Sequence, residues 1–256
     1  MHLKSDEIIR LEIEYDSGTV PPPFSHVFKL RVSFEKRFIN TQFDLQYTDR
    51  EDLPEEEILN EGFTLDDDYS YIGEIPKVWE QSFKTLYSKS NWSNKKMLDT
   101  SGGIKVLAKD RHGQITRTIP TNQEEWQYLA QEYIQAIYEI NKKEVPLTLR
   151  YKIIPQEGEE TNYELTVRFS TRKIDLVVNG ETKEADWEET KPLLSYIFLP
   201  DYDYGAAKEN PPTKNGTYID CGDGFWHEFG KGIVNIDDSF DAVSGIKEGF
   251  MKLNQQ

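Results

Sequence analysis

The segment Phe28–Ile39 constrains the fold more than any other, because its pattern returns 135 positions later in Tyr163–Ile174. Leu30, Val32, Phe34, Arg37 and Ile39 recur as Leu165, Val167, Phe169, Arg172 and Ile174, and Phe28 recurs as Tyr163. In both copies apolar residues alternate with polar ones, the period of a strand with one buried face. A chain built twice from one plan explains the match; convergence of two amphipathic meanders is the alternative.

The rest of the sequence can be laid out around these two segments. Ile9–Tyr15 and Thr41–Tyr47 alternate in the same way and flank Phe28–Phe34, which predicts an antiparallel meander. A helix is expected over Ile75–Ser90, a hairpin from Ile104–Lys109 and Gln114–Ile119, and a second helix over Asn122–Lys142. Thr121 and Glu124 stand at capping-box spacing before that helix. Past Pro146, strands are expected at Leu147–Tyr151, Tyr163–Phe169 and Ile174–Val178, and a helix in Asp186–Phe198. A hairpin from Thr217–Cys221 and Phe225–Phe229 follows, and a helix over Ser239–Leu253 closes the chain. Gly245 and Gly249, four apart, would let a neighbour approach that last helix closely. The expected class is α+β, with antiparallel sheets covered on one face by helices and built from a tandem βββαββα repeat. The halves would span residues 1–143, with an acidic insert at 49–74, and 144–256, with a loop insert at 200–216.

Charge limits what such a protein can bind. Thirty Lys and Arg against 46 Asp and Glu give a net charge of −16. Phosphate backbones and anionic membranes are disfavoured partners, and no run of Lys and Arg exceeds two residues. Residues 49–74 hold eleven acids and one base, Arg50, so they carry −10 of that charge. The lone cysteine, Cys221, excludes an intrachain disulfide, and the first eight residues have no apolar stretch; a cytoplasmic protein is expected.

Motifs for chemistry are sparse. Cys221 and His227 flank a tight turn, but Asp220, Asp223 and Glu228 surround them and oppose thiolate formation, so Cys221 is expected to be a structural thiol. Four scattered histidines lack metal-ligand spacing, and Asp66, Asp67 and Asp68 lack the glycine and terminal glutamate of a calcium loop. No metal and no cofactor are expected. Gly224–Lys231 fails as a phosphate loop, because five residues separate its glycines where four are required.

The two inserts both place acids beside tyrosines: Asp66, Asp67 and Asp68 with Tyr69 and Tyr71, and Asp201 and Asp203 with Tyr202 and Tyr204. Tyrosine gives a large amphipathic contact, and carboxylates select basic groups. The leading expectation is a non-catalytic binding protein whose acidic, tyrosine-bearing loops hold a basic protein or other cationic macromolecule, as an inhibitor or immunity-type protein would. The alternative is a hydrolase with Asp220, Asp223, His227 and Glu228 as acid–base groups in a groove between the halves.

Overall fold

The computed structural model describes residues 2–254 apart from 94, 96–99 and 238. The chain divides into two compact units, Met1–Glu144 and Val145–Gln256. Both are α+β and built on antiparallel sheets.

The first unit opens with β1 (Ile8–Asp16), β2 (His26–Phe34) and β3 (Phe38–Tyr47). A short helix α1 (Glu55–Asn60) precedes β4 (Tyr69–Pro76), and α2 (Trp79–Lys89) follows it. Then come β5 (Trp92–Ser93), β6 (Gly103–Asp110), β7 (Ile115–Pro120) and α3 (Gln123–Ile140). The sheet order is β4-β3-β2-β1-β6-β7-β5. Leu11 faces Val32 and Ile13 faces Leu30 across the first pair, so the alternating residues share one buried face. Trp79 and Phe83 from α2 and Trp126 and Tyr133 from α3 cover that face. Burying a side chain such as Leu30 or Val32 contributes about 1.5–3 kcal/mol. Two buried polar pairs lie under the helices: Tyr133 and Thr41 share a hydroxyl hydrogen bond of 2.6 Å, and Trp126 Nε1 donates to Ser90 Oγ at 2.8 Å. On the opposite face, Glu12 lies beneath Lys29 and Arg31.

The second unit begins with β8 (Leu147–Ile154), β9 (Thr161–Arg168), β10 (Lys173–Val178) and β11 (Glu181–Ala185). Helix α4 (Trp187–Ile197) leads to β12 (Asp201–Tyr202), β13 (Gly216–Asp220), β14 (Trp226–Glu228), β15 (Ile233–Val234) and α5 (Ala242–Leu253). The main sheet runs β11-β10-β9-β8-β13-β14, and β12 pairs with β15 separately. Leu147 faces Val167, Leu149 faces Leu165 and Tyr151 faces Tyr163. Asp186 caps α4 by accepting from the Glu189 amide at 3.0 Å. The two glycines of α5 do admit a close neighbour: a Cβ on Gly245 would lie 2.6 Å from Tyr196, and one on Gly249 2.8 Å from Leu193, both on α4.

The structure departs from the expected order in one consistent way. Each unit has a fourth strand before its first long helix, β4 in one and β11 in the other. Ile75 is not the first residue of a helix; it pairs with Ile39 on the sheet, and Pro76 ends the strand on an edge where no ladder hydrogen bond is lost. Thr121 does not cap α3; the cap position is Asn122, without a side-chain hydrogen bond. Both inserts also contain regular structure, α1 and β4 in the first and β12 in the second.

Candidate functional site

Arg50, the sole base of residues 49–74, organises the acidic segment. Its Nε donates to the Pro23 carbonyl at 2.9 Å and its Nη1 to Asp67 Oδ2 at 2.9 Å. The guanidinium also lies 3.8 Å from the Tyr47 ring centre and 4.6 Å from that of Phe63, a cation–π clamp. Asp67 accepts as well from the amide and hydroxyl of Thr64. Desolvation pushes its pKa up, but the Thr64 and Arg50 hydrogen bonds outweigh it and hold the carboxyl below the usual range. Asp68 Oδ1 accepts from the Tyr47 amide at 2.8 Å.

The two tyrosines beside these acids belong to strand β4 rather than to a loop. Tyr69 is buried, packs edge-on to Tyr138, and accepts from Asn141 Nδ2 at 2.8 Å. Tyr71 is half-buried with its ring folded over Gly73, a contact only glycine allows. Of the five residues expected here to meet a partner, Asp67, Asp68, Tyr69 and Tyr71 have structural partners, and Asp66 presents an exposed carboxylate without one among the described residues. The carboxylates that do face solvent lie mainly upstream: Asp49, Glu51, Asp52, Glu55, Glu56, Glu57 and Glu61. Three of them form the first turn of α1, where the helix dipole favours negative charge.

In the second unit the structure joins residues that the sequence placed in separate hypotheses. Tyr202 and Tyr204 close edge-on over His227, each with ring centres 5.0 Å away. Tyr202 donates to the Ile197 carbonyl at 2.6 Å, and Tyr204 to Asp223 Oδ2 at 2.7 Å. Cys221 shares a hydrogen bond with Tyr202; burial lifts its thiol to about 12, with Asp223 and Asp220 adding to the rise. His227 is 1% exposed, and neither ring nitrogen has a hydrogen-bond partner among the described residues.

The four residues of the acid–base hypothesis do not converge. In the β13–β14 register Ile219 pairs with His227, while Asp220 pairs with Trp226 and therefore points to the other face. Asp220 Oδ1 accepts from the Gly222 and Gly224 amides, and its Oδ2 meets Arg150 Nη1 at 3.0 Å. Glu228 pairs with Lys231. A general base must reach a proton at hydrogen-bonding distance, and His227 faces aromatic rings instead. Among the described residues no three His, Cys, Asp or Glu side chains could hold a metal ion, and no helix is long and apolar enough to cross a membrane.

No protein-family model, curated protein or solved structure matches the chain.

One further site was not expected from the sequence. A cleft of about 190 Å³ opens in the first unit between α3 and the ends of β1, β2 and β3. Phe28, Phe43, Leu45 and Ile134 form its apolar lining, and Tyr15, His26, Tyr47, Tyr138, Gln127 and Gln131 its polar margin. His26 Nδ1 lies 2.8 Å from the Phe24 carbonyl, which can only accept, so Nδ1–H donates there and the tautomer with a single N–H leaves Nε2 as an acceptor. The signal was present in the pattern. Gln127 and Gln131 are four apart beside the helix's apolar stripe, and Tyr15, His26, Phe28 and Tyr47 sit where the inward faces of their strands run out.

Proposed function

We propose that the protein is a non-catalytic binding protein whose acidic segment 49–66 receives a cationic macromolecule. One observation carries this reading. The Arg50 clamp fixes the segment to the sheet, while Asp49, Glu51, Asp52, Glu55, Glu56, Glu57, Glu61 and Asp66 make no ion pair among the described residues. Leu59 and Leu65 are exposed beside them, at 50% and 61%, and would add apolar contact area. A concentrated negative face of this kind steers a basic partner and accelerates encounter, and the effect weakens as salt rises. In the second unit Tyr204 is 61% exposed, whereas Tyr202 is turned to the Ile197 carbonyl.

The scaffold behind this face is, in the same proposal, a duplicated one. The sheet orders correspond strand for strand over six strands, and the paired residues Leu11–Val32 and Ile13–Leu30 match Leu147–Val167 and Leu149–Leu165. Each β-hairpin after the first long helix also turns on a buried aspartate that accepts two backbone amides, Asp110 from His112 and Gln114 and Asp220 from Gly222 and Gly224. The shared plan has four strands, a helix, a hairpin and a helix.

The test is capture of basic proteins from the source lysate at low and high salt. The bait is the wild type or a variant with Asp49, Glu51, Asp52, Glu55, Glu56 and Glu57 changed to the amides. The variant should keep its thermal stability and lose the salt-sensitive captures. Asp67 is left intact because its loss would release Arg50 and confound the result. Identical captures by both baits would end this reading.

A further inference from the structure

We infer that the cleft between α3 and strands β1–β3 binds an uncharged aromatic ring with hydrogen-bonding atoms on its edge, a free nucleobase or nucleoside rather than a nucleotide. This site contains no residue of the acidic segment, which it adjoins only through Tyr47 under Arg50, and it does not rest on the proposed function.

The first support is an asymmetry in how polar groups are used. Beneath α2 and α3 four inward polar pairs close on one another: Tyr133 with Thr41, Tyr87 with Thr116, Trp126 with Ser90 and Tyr69 with Asn141. Around the cleft the polar groups are half-buried or exposed and are left open. The hydroxyls of Tyr15, Tyr47 and Tyr138 and the carboxamides of Gln127 and Gln131 have no hydrogen-bond partner among the described residues, although all five line one small space. With His26 Nε2 as an acceptor, the margin offers both donors and acceptors above an apolar floor. Convergent polar groups over apolar walls are what a small-molecule site requires.

The second support comes from the corresponding corner of the second unit. Tyr15 pairs with Phe28 across β1 and β2, and Tyr151 pairs with Tyr163 across β8 and β9. In the second unit the corner is filled by Phe250 of α5, whose ring lies on Tyr151 at 4.4 Å with only 2° between the planes and sits 5.7 Å from Tyr163. Tyr15 instead stacks on Phe28 at 4.9 Å beside His26, and among the described residues it makes no ring contact with α3, which lines the cleft with Gln127, Gln131, Ile134 and Tyr138. Phe250 thus shows what this corner accepts, a flat ring stacked on the first-strand tyrosine. The comparison rests on the paired registers and holds whether or not the units share an origin.

Size and charge narrow the guest. A volume of 190 Å³ falls below the roughly 300–1,000 Å³ of drug-sized sites, so one or two fused rings fill it. No Lys, Arg, Asp or Glu lines the cleft, and the protein's net charge of −16 opposes a phosphate.

The experiment is an amide and side-chain NMR titration of the full chain with adenine, adenosine, AMP and glucose. Adenine and adenosine should shift signals of Tyr15, His26, Gln127 and Gln131 and leave those of Tyr151 and Phe250 in place, with AMP weaker and glucose inert. Gln127→Phe, which plugs the cleft as Phe250 plugs its counterpart, should abolish binding. Gln131→Leu, at an exposed helix position that tolerates change, should weaken it about two- to tenfold, the effect of one neutral hydrogen bond. No response to either uncharged ring at millimolar concentration would overturn the inference, as would a response to glucose alone. AMP binding as tightly as adenosine would overturn the exclusion of phosphate. Should the plugged variant not fold, unchanged adenine affinity in Gln131→Leu would decide against the site.

Discussion

Asp220 is a structural residue in this account, and replacing it separates that role from an acid–base one. The side chain is fully buried; Oδ1 holds two backbone amides at 2.9 and 3.0 Å and Oδ2 holds Arg150 at 3.0 Å. Asp220→Ala strands both amides, and an unsatisfied buried donor costs about 1–3 kcal/mol. Arg150 is 46% exposed and can return to water, so the ion pair adds at most about 1 kcal/mol. The expected total is about 3 kcal/mol. Asp220→Asn keeps the Oδ1 acceptor but turns an amide donor toward Arg150, which loses its hydrogen bond and returns to water, so it should cost about 1 kcal/mol. Asp110 supplies the control, because it holds the His112 and Gln114 amides at 2.8 Å and pairs with no cation among the described residues. Asp110→Asn should therefore cost about 0.5 kcal/mol or less, and Asp110→Ala about 2 kcal/mol. Urea unfolding followed by circular dichroism measures the series. With a slope of about 2 kcal/mol/M, Asp220→Ala moves the midpoint of its unit by about 1.5 M. The reasoning is refuted if Asp220→Ala lies within about 1 kcal/mol of wild type, if Asp220→Asn is as damaging as alanine, or if Asp110→Asn equals Asp220→Asn.

Two further expectations concern pH. Burial alone would raise the pKa of Glu12, but hydrogen bonds and charge from Lys29 and Arg31 hold it below the ordinary value of 4.5. Its stabilisation is therefore present above about 4.5 and lost as pH falls through the lower folded value, so Glu12→Gln should flatten the acid limb of stability against pH; an unchanged limb would count against the network. Cys221 titrates near 9.0 when exposed and about 12 in the fold, so its contribution is present below 9.0 and lost as pH climbs toward 12. Iodoacetamide at neutral pH should leave the native thiol unmodified, and Cys221→Ser should soften but not remove the alkaline loss, because Tyr204 is also pushed up to about 12; rapid native alkylation would refute the burial argument.

What the sequence alone determined was what local periodicity encodes. Alternation at Ile9–Tyr15, Phe28–Phe34 and Tyr163–Phe169 specified strands and most of their buried faces, because a period of two gathers those side chains on one face. The exceptions are Ile9, exposed beside a bulge in β1, and Phe169, which lies in a 3-10 turn past the end of β9. Helical stripes located α3 and α5, and the Gly245–Gly249 spacing announced the close approach of α4. The edge strands β4 and β11 escaped notice because an edge alternates weakly: Ile72 is 78% exposed and Glu181–Ala185 carries charges.

The candidate sites depended on tertiary structure throughout. Asp67 and Asp68 read as solvated charge until Arg50 and the Tyr47 amide were seen to hold them, and Tyr69 read as a contact residue until Asn141, 72 positions away, was found at its hydroxyl. Which face of a hairpin Asp220 and His227 occupy is a matter of register, and register is decided by the packing of one strand against its neighbours. The cleft is the extreme case, since Tyr15, His26, Tyr47, Gln127 and Tyr138 meet only when α3 lies across three strands. Local sequence sets which way a side chain points; only the folded chain sets what it meets there.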